Sequence, residues 1–289
     1  MNGTSYDLEE KVVVVTGGSK GIGLELARHF LIAGARVVIC SRKEANLTAA
    51  VETLGGGERL LAIPAHVARE GDVENLFDTA VRRFGGLDIL INNVGMNLLT
   101  ASVTDTELAV WNKIIEGNLT GAFLCSRKAA RIMREKKRGK IVNISSLAGT
   151  KASPGMGIYG IAKAGIEMLT KVLAFELAPF NIQVNAIAPG VVRTDFSKPF
   201  WSTPAIHDQI VKAVPAGRIA EILDLVPVVM LWPPVMRTTS PVRRSWSTGG
   251  PPSYEPYRRH RYRLHHRQGR RHAGRHPSGD AGDLHRLQL

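Results

Sequence analysis

The stretch TGGSKGIG, Thr16 to Gly23, decides the fold predicted for this chain, because it joins two different hydrophobic patterns. Before it stands KVVVV (11–15), a β-branched run typical of a buried strand, and after it runs the helical pattern of residues 21–33. A simple tight turn is one interpretation. Glycines at a strand-to-helix turn also let backbone amides approach a pyrophosphate, whose negative charge the helix N-terminus favours. We therefore predict a dinucleotide phosphate site formed by Gly17, Ser19, Lys20, Gly21, Ile22 and Gly23.

The alternation of strand and helix patterns continues along the chain. Further strand-like apolar runs occupy 36–40, 59–63, 87–91, 140–144 and 182–188, and helical patterns occupy 44–54, 71–84, 106–137 and 158–178. Such alternation indicates a parallel sheet with helices on both faces and right-handed crossovers. We predict an α/β fold with a doubly wound parallel sheet (Rossmann fold), in a single domain over residues 1–231.

The residues after the second predicted strand indicate which dinucleotide binds. An acidic residue there would bond the ribose 2′-hydroxyl of the non-phosphorylated cofactor, but this chain has CSRK. Ser41 and Arg42 offer a hydroxyl and a guanidinium, and Lys20 could reach the same side, so a 2′-phosphate would meet positive charge. We predict NADP(H); the alternative is that these cations are ordinary solvated surface residues.

A candidate catalytic set follows the fifth predicted strand, in NISSLAGTKASPGMGIYGIAK. Tyr159 and Lys163 are four residues apart and share one face of a helix, so the ammonium can lie near the phenol. A nearby positive charge favours the phenolate and brings tyrosine closer to a useful general acid/base. The hydroxyl of Ser146 at the preceding turn can hold a substrate carbonyl. This set suits hydride transfer, in which a nicotinamide supplies the hydride and the protein the proton.

Five motifs together resemble the short-chain dehydrogenase/reductase family, classical type: TGGSKGIG, NNVG (92–95), GNLTG (117–121), the serine, tyrosine and lysine set, and APGVVRT (188–194). The resemblance covers residues from about 8 to 230. The chain looks closest to NADPH-dependent carbonyl reductases and 3-oxoacyl-(acyl carrier protein) reductases. The resemblance implies an oxidoreductase that transfers a hydride between NADP(H) and a ketone, a secondary alcohol or a 3-oxoacyl thioester.

The resemblance also implies a role for individual residues. Tyr159 is the general acid/base, and Ser146 orients the carbonyl. Lys163 binds the nicotinamide ribose and lowers the pKa of the tyrosine, and Asn118 holds a proton-relay water. Ser145 is the weaker candidate serine, because Ser146 has the family's spacing to the tyrosine. Besides residues already named, the implied cofactor site includes Val67, Asn93, Gly95, Pro189, Gly190, Val192 and Thr194.

Two positions depart from the family pattern. NNVG stands where the family often has NNAG, and we expect the two extra methyl groups to shift the loop slightly without loss of activity. His66 stands at the end of the third strand, where the family commonly has an acid or an amide near the adenine. A backbone contact from Val67 survives that change, and we expect no metal or catalytic role for His66.

The substrate-specificity element is predicted at 196–215 and interpreted as a mobile lid. Phe196, Phe200 and Trp201 favour an apolar pocket, with ordinary packing as the equally good alternative. Which small-molecule carbonyl or alcohol the protein uses stays open.

The net charge of +13 is concentrated near the C-terminus. Twelve arginines from Trp232 onward give that segment +9, whereas the preceding 231 residues carry only +4, so the pI near 10 is a local feature. The two cysteines, Cys40 and Cys125, have neither redox nor metal-ligand spacing, which favours a reducing compartment and inert thiols. No signal-peptide pattern and no apolar run of about 20 residues occur. We expect a cytoplasmic protein without a membrane or metal partner.

Beyond Trp232 the alternation ends, and Pro, Arg, Ser, Gly and His dominate, which predicts a disordered basic tail over 232–289 in place of the family's usual seventh strand. That strand usually resembles TGQTLVVDGG. Reading the codons for Ser240 to Gly250 one base earlier permits this same sequence. We therefore interpret 232–289 as an out-of-frame product of a shift near Met230 to Trp232, real or a sequencing error. The alternative is a selected basic arm that binds nucleic acid, although we expect no specific nucleic-acid partner.

Loss of the seventh strand would leave residues 182–188 as an exposed parallel edge and would remove a surface that family oligomers use. A homodimer or homotetramer is therefore expected only if the C-terminal region allows it. For the same reason, the alternative to an active enzyme is a catalytically impaired NADP-binding protein.

Overall fold

The computed structural model describes residues 8–55 and 57–230, together with the backbone of 244–247. Its strands form one parallel sheet in the order β3-β2-β1-β4-β5-β6-β7. Their bounds are β1 Val12–Thr16, β2 Arg36–Ser41, β3 Leu60–Pro64, β4 Ile89–Asn92, β5 Gly139–Ile144, β6 Ile182–Pro189 and β7 Arg244–Ser247. The predicted doubly wound parallel sheet is confirmed.

Helices cover both faces of the sheet because successive residues of each central strand point to opposite sides. Val14 of β1 belongs to the apolar cluster shared with α3, α5 and α6, and Val13 to the cluster shared with α1, α2 and α9. The helices are α1 Gly21–Ile32, α2 Glu44–Leu54, α3 Glu70–Phe84, α4 Leu108–Ile115, α5 Gly121–Glu135, α6 Gly157–Leu177, α7 Lys198–Trp201, α8 Pro204–Ala213 and α9 Ile222–Met230.

The strand order reverses at β1, which pairs with β2 on one side and with β4 on the other. After β3 the chain crosses to the far side of β1, so the loops that follow β1 and β4 leave the sheet in opposite directions. A crevice opens between such loops at the carboxyl ends of the strands, and ligands of doubly wound sheets bind there. This crevice contains most of the predicted site residues.

The long helical pattern predicted at 106–137 is interrupted in the structure. Residues Glu116–Thr120 form a π-helical segment between α4 and α5. A π-helical turn accommodates an extra residue and changes the direction of the side chains it carries, and such turns are frequent at functional sites. Asn118 lies in this segment.

The prediction that residues 182–188 form an exposed edge is wrong for the C-terminal half of β6. The backbone of Arg244–Ser247 pairs with β6 in parallel, with Ala186 opposite Arg244 and Pro189 opposite Ser247. Strand pairing uses backbone amides and carbonyls that nearly every residue carries, so a polar composition does not prevent it. The other residues of the predicted tail, 232–243 and 248–289, lie outside the described residues, and so does the codon shift predicted near Met230 to Trp232.

Within the described part of the chain, no helix combines the length and the apolar character that crossing a membrane would require.

Candidate active site

The Gly-rich loop connects β1 to α1 with a backbone that only glycine adopts readily. Gly17 and Gly21 have φ angles of +64° and +54°. A Cβ on Gly23 would lie 2.4 Å from the carbonyl oxygen of Gly17, so this third glycine permits the close turn. Ser19 is buried, Lys20 is exposed, and Ile22 packs against the α1 side of the core.

The N-terminus of α1 provides an anion site of the expected kind. Lys20 occupies the N-cap position without a side-chain cap hydrogen bond, and the first turn contains no acidic residue. The first amides of the helix therefore face the crevice together with a lysine, which suits a pyrophosphate. The glycine cradle and this helix end fit a dinucleotide.

Asn93 joins the NNVG loop after β4 to the Gly-rich loop. Its Nδ2 donates to the carbonyl oxygens of Thr16 at 3.0 Å and Gly17 at 3.2 Å. The side chain thus holds the two loops that flank the strand reversal, rather than pointing at a ligand. Val94, the departure from the family pattern, packs against the core, and its Cγ2 would lie 3.2 Å from a Cβ on Gly17.

Ser41 ends β2, and Arg42 follows it as an exposed residue on the same edge of the sheet as the Gly-rich loop. Val67 follows β3 and is buried, and its side chain lies against the backbone of Gly121 at the start of α5. The ring of His66 accepts a hydrogen bond from the Ala68 amide, which stabilises the turn after β3.

The loop after β6 closes the crevice from the other side. Pro189 ends the strand, Gly190 follows, and Val192 is buried and bridged to Ala220. The methyl group of Thr194 lies 3.8 Å from the Cβ position of Gly21. The APGVVRT motif is therefore brought over the Gly-rich loop, as its predicted cofactor role requires.

Tyr159 and Lys163 lie in the first two turns of α6, and both side chains are buried. The Nζ of Lys163 lies 5.4 Å from the centre of the Tyr159 ring and donates a hydrogen bond of 2.9 Å to the carbonyl oxygen of Ile144. Burial lowers the pKa of Lys163 to about 8, because the charged ammonium loses hydration. The predicted juxtaposition of phenol and amine is present.

The predicted lowering of the tyrosine pKa is not what this geometry produces. Burial raises the pKa of Tyr159 to about 12, and a hydrogen bond with Ser146 opposes that rise. Desolvation of the phenolate is the larger effect, and it outweighs the Ser146 hydrogen bond. At neutral pH Tyr159 therefore carries its proton.

Ser146 stands at the end of the turn after β5, in an extended conformation with φ −162° and ψ 153°. Its Oγ accepts a hydrogen bond of 3.2 Å from the amide of Ala148, and the same hydroxyl interacts with Tyr159. Ser145, in contrast, points into the core and is 3% exposed. The choice of Ser146 over Ser145 agrees with this geometry.

Asn118 lies close to Lys163. A Cβ on Gly95 would lie 3.5 Å from the Nζ of Lys163 and 3.6 Å from the Oδ1 of Asn118, so the three residues meet at one point. The Nδ2 of Asn118 donates to the carbonyl oxygens of Met96 and Ile114 at 2.8 and 2.7 Å. The asparagine therefore holds the NNVG loop against the π-helical turn.

The predicted specificity element contains α7 and α8. The ring of Phe196 lies 6.0 Å from the ring of Tyr159 and is 47% exposed, so it faces the site opening. Trp201 instead serves packing: its Nε1 donates to Ser197 Oγ at 3.0 Å, and Arg193 stacks on its ring at 4.9 Å. Phe200 is partly buried, and no described contact brings it to Tyr159.

A chain of buried polar groups beneath the site was not predicted. The Nδ2 of Asn92 donates to Asn143 Oδ1 and to Ser126 Oγ, both at 2.8 Å, and Asn143 in turn donates to Thr170 Oγ1 at 2.8 Å. These bonds tie β4, β5, α5 and α6 together. Asparagine in otherwise apolar strands is the sequence signal that could have revealed it.

No cluster of three or more metal-ligating side chains occurs in the part of the chain that the structure describes. Cys40 and Cys125 are buried and free, and burial raises the pKa of both thiols, so they have the inert character expected from their positions.

Fold and site together define a dinucleotide-dependent oxidoreductase, and comparison with known proteins agrees. The short chain dehydrogenase family matches residues 11–205. Dehydrogenase/reductase SDR family member 4 of Bos taurus is 38% identical over 215 residues, which cover 74% of this chain and 77% of that protein. An uncharacterized oxidoreductase of Mycobacterium bovis is 40% identical over 214 residues, or 74% of this chain and 85% of that protein.

A solved structure is similar as well. The short-chain type dehydrogenase/reductase from Mycobacterium marinum superimposes with a TM-score of 0.73 at 30% identity, covering 78% of this chain and 89% of that chain. The chain therefore belongs to the short-chain dehydrogenase/reductase family.

Proposed function

We propose that this protein interconverts a carbonyl compound and a secondary alcohol, with NADP(H) as hydride carrier and Tyr159 as proton donor and acceptor. One observation carries the proposal: Ser146, Tyr159 and Lys163 converge with Gly95 and Asn118 where the cofactor crevice opens. A nicotinamide bound there supplies or accepts the hydride. The protein residues handle the proton and the orientation of the substrate.

In the reducing direction, the Ser146 hydroxyl holds the substrate carbonyl oxygen, and the Tyr159 hydroxyl donates its proton to that oxygen. The pKa of about 12 keeps Tyr159 protonated at neutral pH, which is the state that a proton donor needs. Lys163 holds the end of β5 through the carbonyl oxygen of Ile144, and it is proposed to bind the nicotinamide ribose. Asn118 is proposed to hold a relay water.

The mechanism is tested by following NADPH oxidation with a panel of ketones and 3-oxoacyl thioesters. Tyr159→Phe removes only the phenolic hydroxyl, and we expect kcat to fall by about 10²- to 10⁴-fold with little change in cofactor affinity. Thr53→Val, which removes an exposed hydroxyl on α2, serves as the control. An undiminished Tyr159→Phe enzyme would contradict the acid/base role. Cofactor binding without turnover by the unaltered chain would instead favour a catalytically impaired NADP-binding protein.

The preference for NADP(H) rests on charge. Lys20 and Arg42 are both exposed on the edge of the sheet where the adenosine end of the dinucleotide would lie, and no acidic residue stands at the end of β2. Arg42→Asp should lower the affinity for NADPH about tenfold or more and raise the relative use of NADH, because it replaces a phosphate partner with a repelling charge. Arg131→Asp on α5 is the control for charge reversal alone. An unchanged NADPH-to-NADH ratio in Arg42→Asp would contradict the preference.

The substrate is proposed to place an apolar group beside Phe196, since this half-exposed ring lies next to Tyr159. Phe196→Ala should raise KM for substrates with large apolar substituents more than for small ketones. Equal changes for both kinds of substrate would remove Phe196 from the specificity element.

Self-association is proposed through α6. Five positions on its outward face are exposed and uncharged, namely Ile161, Ala164, Met168, Val172 and Phe175. A helix that is apolar on its outer face as well as its inner face is normally covered. A second copy of the chain is the proposed occupant. Met168→Glu should shift the protein toward monomer in light scattering, whereas Ile32→Glu, on an exposed site of α1, should not.

A further inference from the structure

Two charged side chains in the described part of the chain are more than nine-tenths buried, and they lie one turn apart on α6. Lys163 belongs to the predicted catalytic set, but Glu167, which is 7% exposed, has no part in the mechanism above. Burying a carboxylate is costly unless it forms compensating interactions. The burial of Glu167 at this position therefore needs a physical explanation.

Glu167 interacts with the segment that carries the catalytic serine. The hydroxyl of Ser145 is shared between the carbonyl oxygen of Lys163 at 3.2 Å and the Oε1 of Glu167 at 3.4 Å. The amide of Ser145 donates to the carbonyl oxygen of Ile187 at 2.7 Å. Ser145 is therefore held from α6 and from β6 at once.

The neighbouring residues of this segment are also pressed against α6. The Nζ of Lys163 bonds the carbonyl oxygen of Ile144, on one side of Ser145. On the other side, a Cβ on Gly149 would lie 2.9 Å from the backbone of Lys163. Ser146 lies between these attachments, and its own side chain bonds only within the turn and to Tyr159.

We propose that Glu167 is a positioning residue. Its carboxylate accepts a hydrogen bond from the Ser145 hydroxyl and thereby fixes the position of Ser146 relative to Tyr159. This role rests on the proposed function of Ser146 and Tyr159. Because the lysine one turn earlier bonds the residue before Ser145, the two buried charges hold consecutive residues of the same turn. The carboxylate acts through its hydrogen bond, so a neutral acceptor of the same shape can replace it.

The test compares kcat, substrate KM and NADPH affinity in the full-length chain for Glu167→Gln, Glu167→Leu, Ser145→Ala and the Ser145→Ala/Glu167→Leu double variant. Glu167→Leu and Ser145→Ala should each lower kcat about ten- to a hundredfold with NADPH affinity unchanged, because a displaced hydroxyl misaligns the carbonyl. Glu167→Gln should stay within about twofold of the unaltered enzyme, since its amide oxygen still accepts a hydrogen bond from the Ser145 hydroxyl.

The double variant distinguishes positioning from two separate defects. If both residues act through one hydrogen bond, the double variant is no slower than the slower single variant. Three results would each overturn the role. The first is a loss of kcat in the double variant that equals the product of the two single losses. The others are a Glu167→Leu enzyme within twofold of normal kcat and a Glu167→Gln enzyme as slow as Glu167→Leu. Glu176→Leu, at an exposed position of the same helix, controls for loss of a carboxylate.

The outcome separates this role from the function on which it rests. Should Glu167→Leu fail to fold, Ser145→Ala must still be slow while Glu167→Gln is normal, and any other result overturns the proposal. A slow Tyr159→Phe enzyme with a normal Ser145→Ala enzyme rejects only the positioning role. Undiminished turnover in Tyr159→Phe, or no turnover in the unaltered chain, rejects the proposed function and this role with it.

Discussion

Replacing Lys163 with methionine should change how the stability of the fold depends on pH. Lys163 is 2% exposed, and its burial lowers the pKa from 10.5 to about 8. Methionine has a similar length and no charge, so the comparison isolates the titration of one amine. The buried site accommodates the neutral amine better than the ammonium, so deprotonation of Lys163 should stabilise the folded chain.

Below pH 8 the lysine is protonated in both the folded and the unfolded chain, and its contribution to stability is constant. Between pH 8 and 10.5 the unfolded chain binds a proton that the folded chain has released, so the free energy of unfolding rises with pH. One pKa unit corresponds to about 1.4 kcal/mol, and about three quarters of the full effect of lowering the pKa from 10.5 to about 8 is reached at pH 10. The unaltered chain should therefore gain about 2–3 kcal/mol relative to Lys163→Met between pH 7 and pH 10.

Urea unfolding followed by tryptophan fluorescence at several pH values from 7 to 10 measures this difference. Other lysines and tyrosines titrate equally in both proteins and cancel. Tyr159, with a pKa of about 12, keeps its proton in the folded state throughout this range. A stability difference that stays constant, or that falls as the pH rises, would refute the assignment of a depressed pKa to Lys163.

Three further predictions concern packing and the C-terminus. Gly23→Ala places a Cβ 2.4 Å from the carbonyl oxygen of Gly17, so NADPH affinity measured by fluorescence titration should fall more than tenfold, whereas Gly71→Ala, at an open helical position, should leave it unchanged. Gly121→Ala brings a Cβ to 2.6 Å from Val67 Cγ2 and should destabilise the fold by about 1–3 kcal/mol in urea unfolding, with recovery when Val67 is also changed to alanine. Restoring the earlier reading frame after α9 should yield a chain ending near residue 254 with higher solubility and turnover, and a confirmed present frame without either gain would favour a functional basic arm.

The cofactor crevice could be predicted from the sequence because its geometry is imposed by residues with few alternatives. Gly17 and Gly21 adopt positive φ angles that other residues rarely take, and their place between a strand pattern and a helix pattern locates the turn. The tyrosine and lysine four residues apart likewise had to share a helix face. Such features are local, and local patterns are visible in a sequence.

The environment of Tyr159 could not be predicted in the same way. Whether an amine lowers a phenol pKa depends on how far both are buried, and burial is produced by residues distant in the sequence. Glu167 illustrates the same limit, because a glutamate on a helix is normally exposed and only the fold brings it to Ser145. The buried asparagines of β4 and β5 could not be interpreted from the sequence either, because their hydrogen-bond partners include residues of α5 and α6.

The seventh strand shows a different limit, since composition predicts which residues can form a core but not which backbones can pair. Arg244–Ser247 occupy the positions at which the earlier reading frame permits the Thr-Leu-Val-Val of the family strand. A codon shift would preserve the number of residues between α9 and this stretch, and the backbone amides and carbonyls along β6 can pair with any strand that the chain brings there. On the frameshift interpretation, the position of the strand follows from chain length, whereas its side chains follow from the reading frame. Restoring the frame should consequently change solubility and turnover without changing the pairing register with β6, and a cofactor crevice built from β1, β4 and α1 should bind NADPH with similar affinity in both chains.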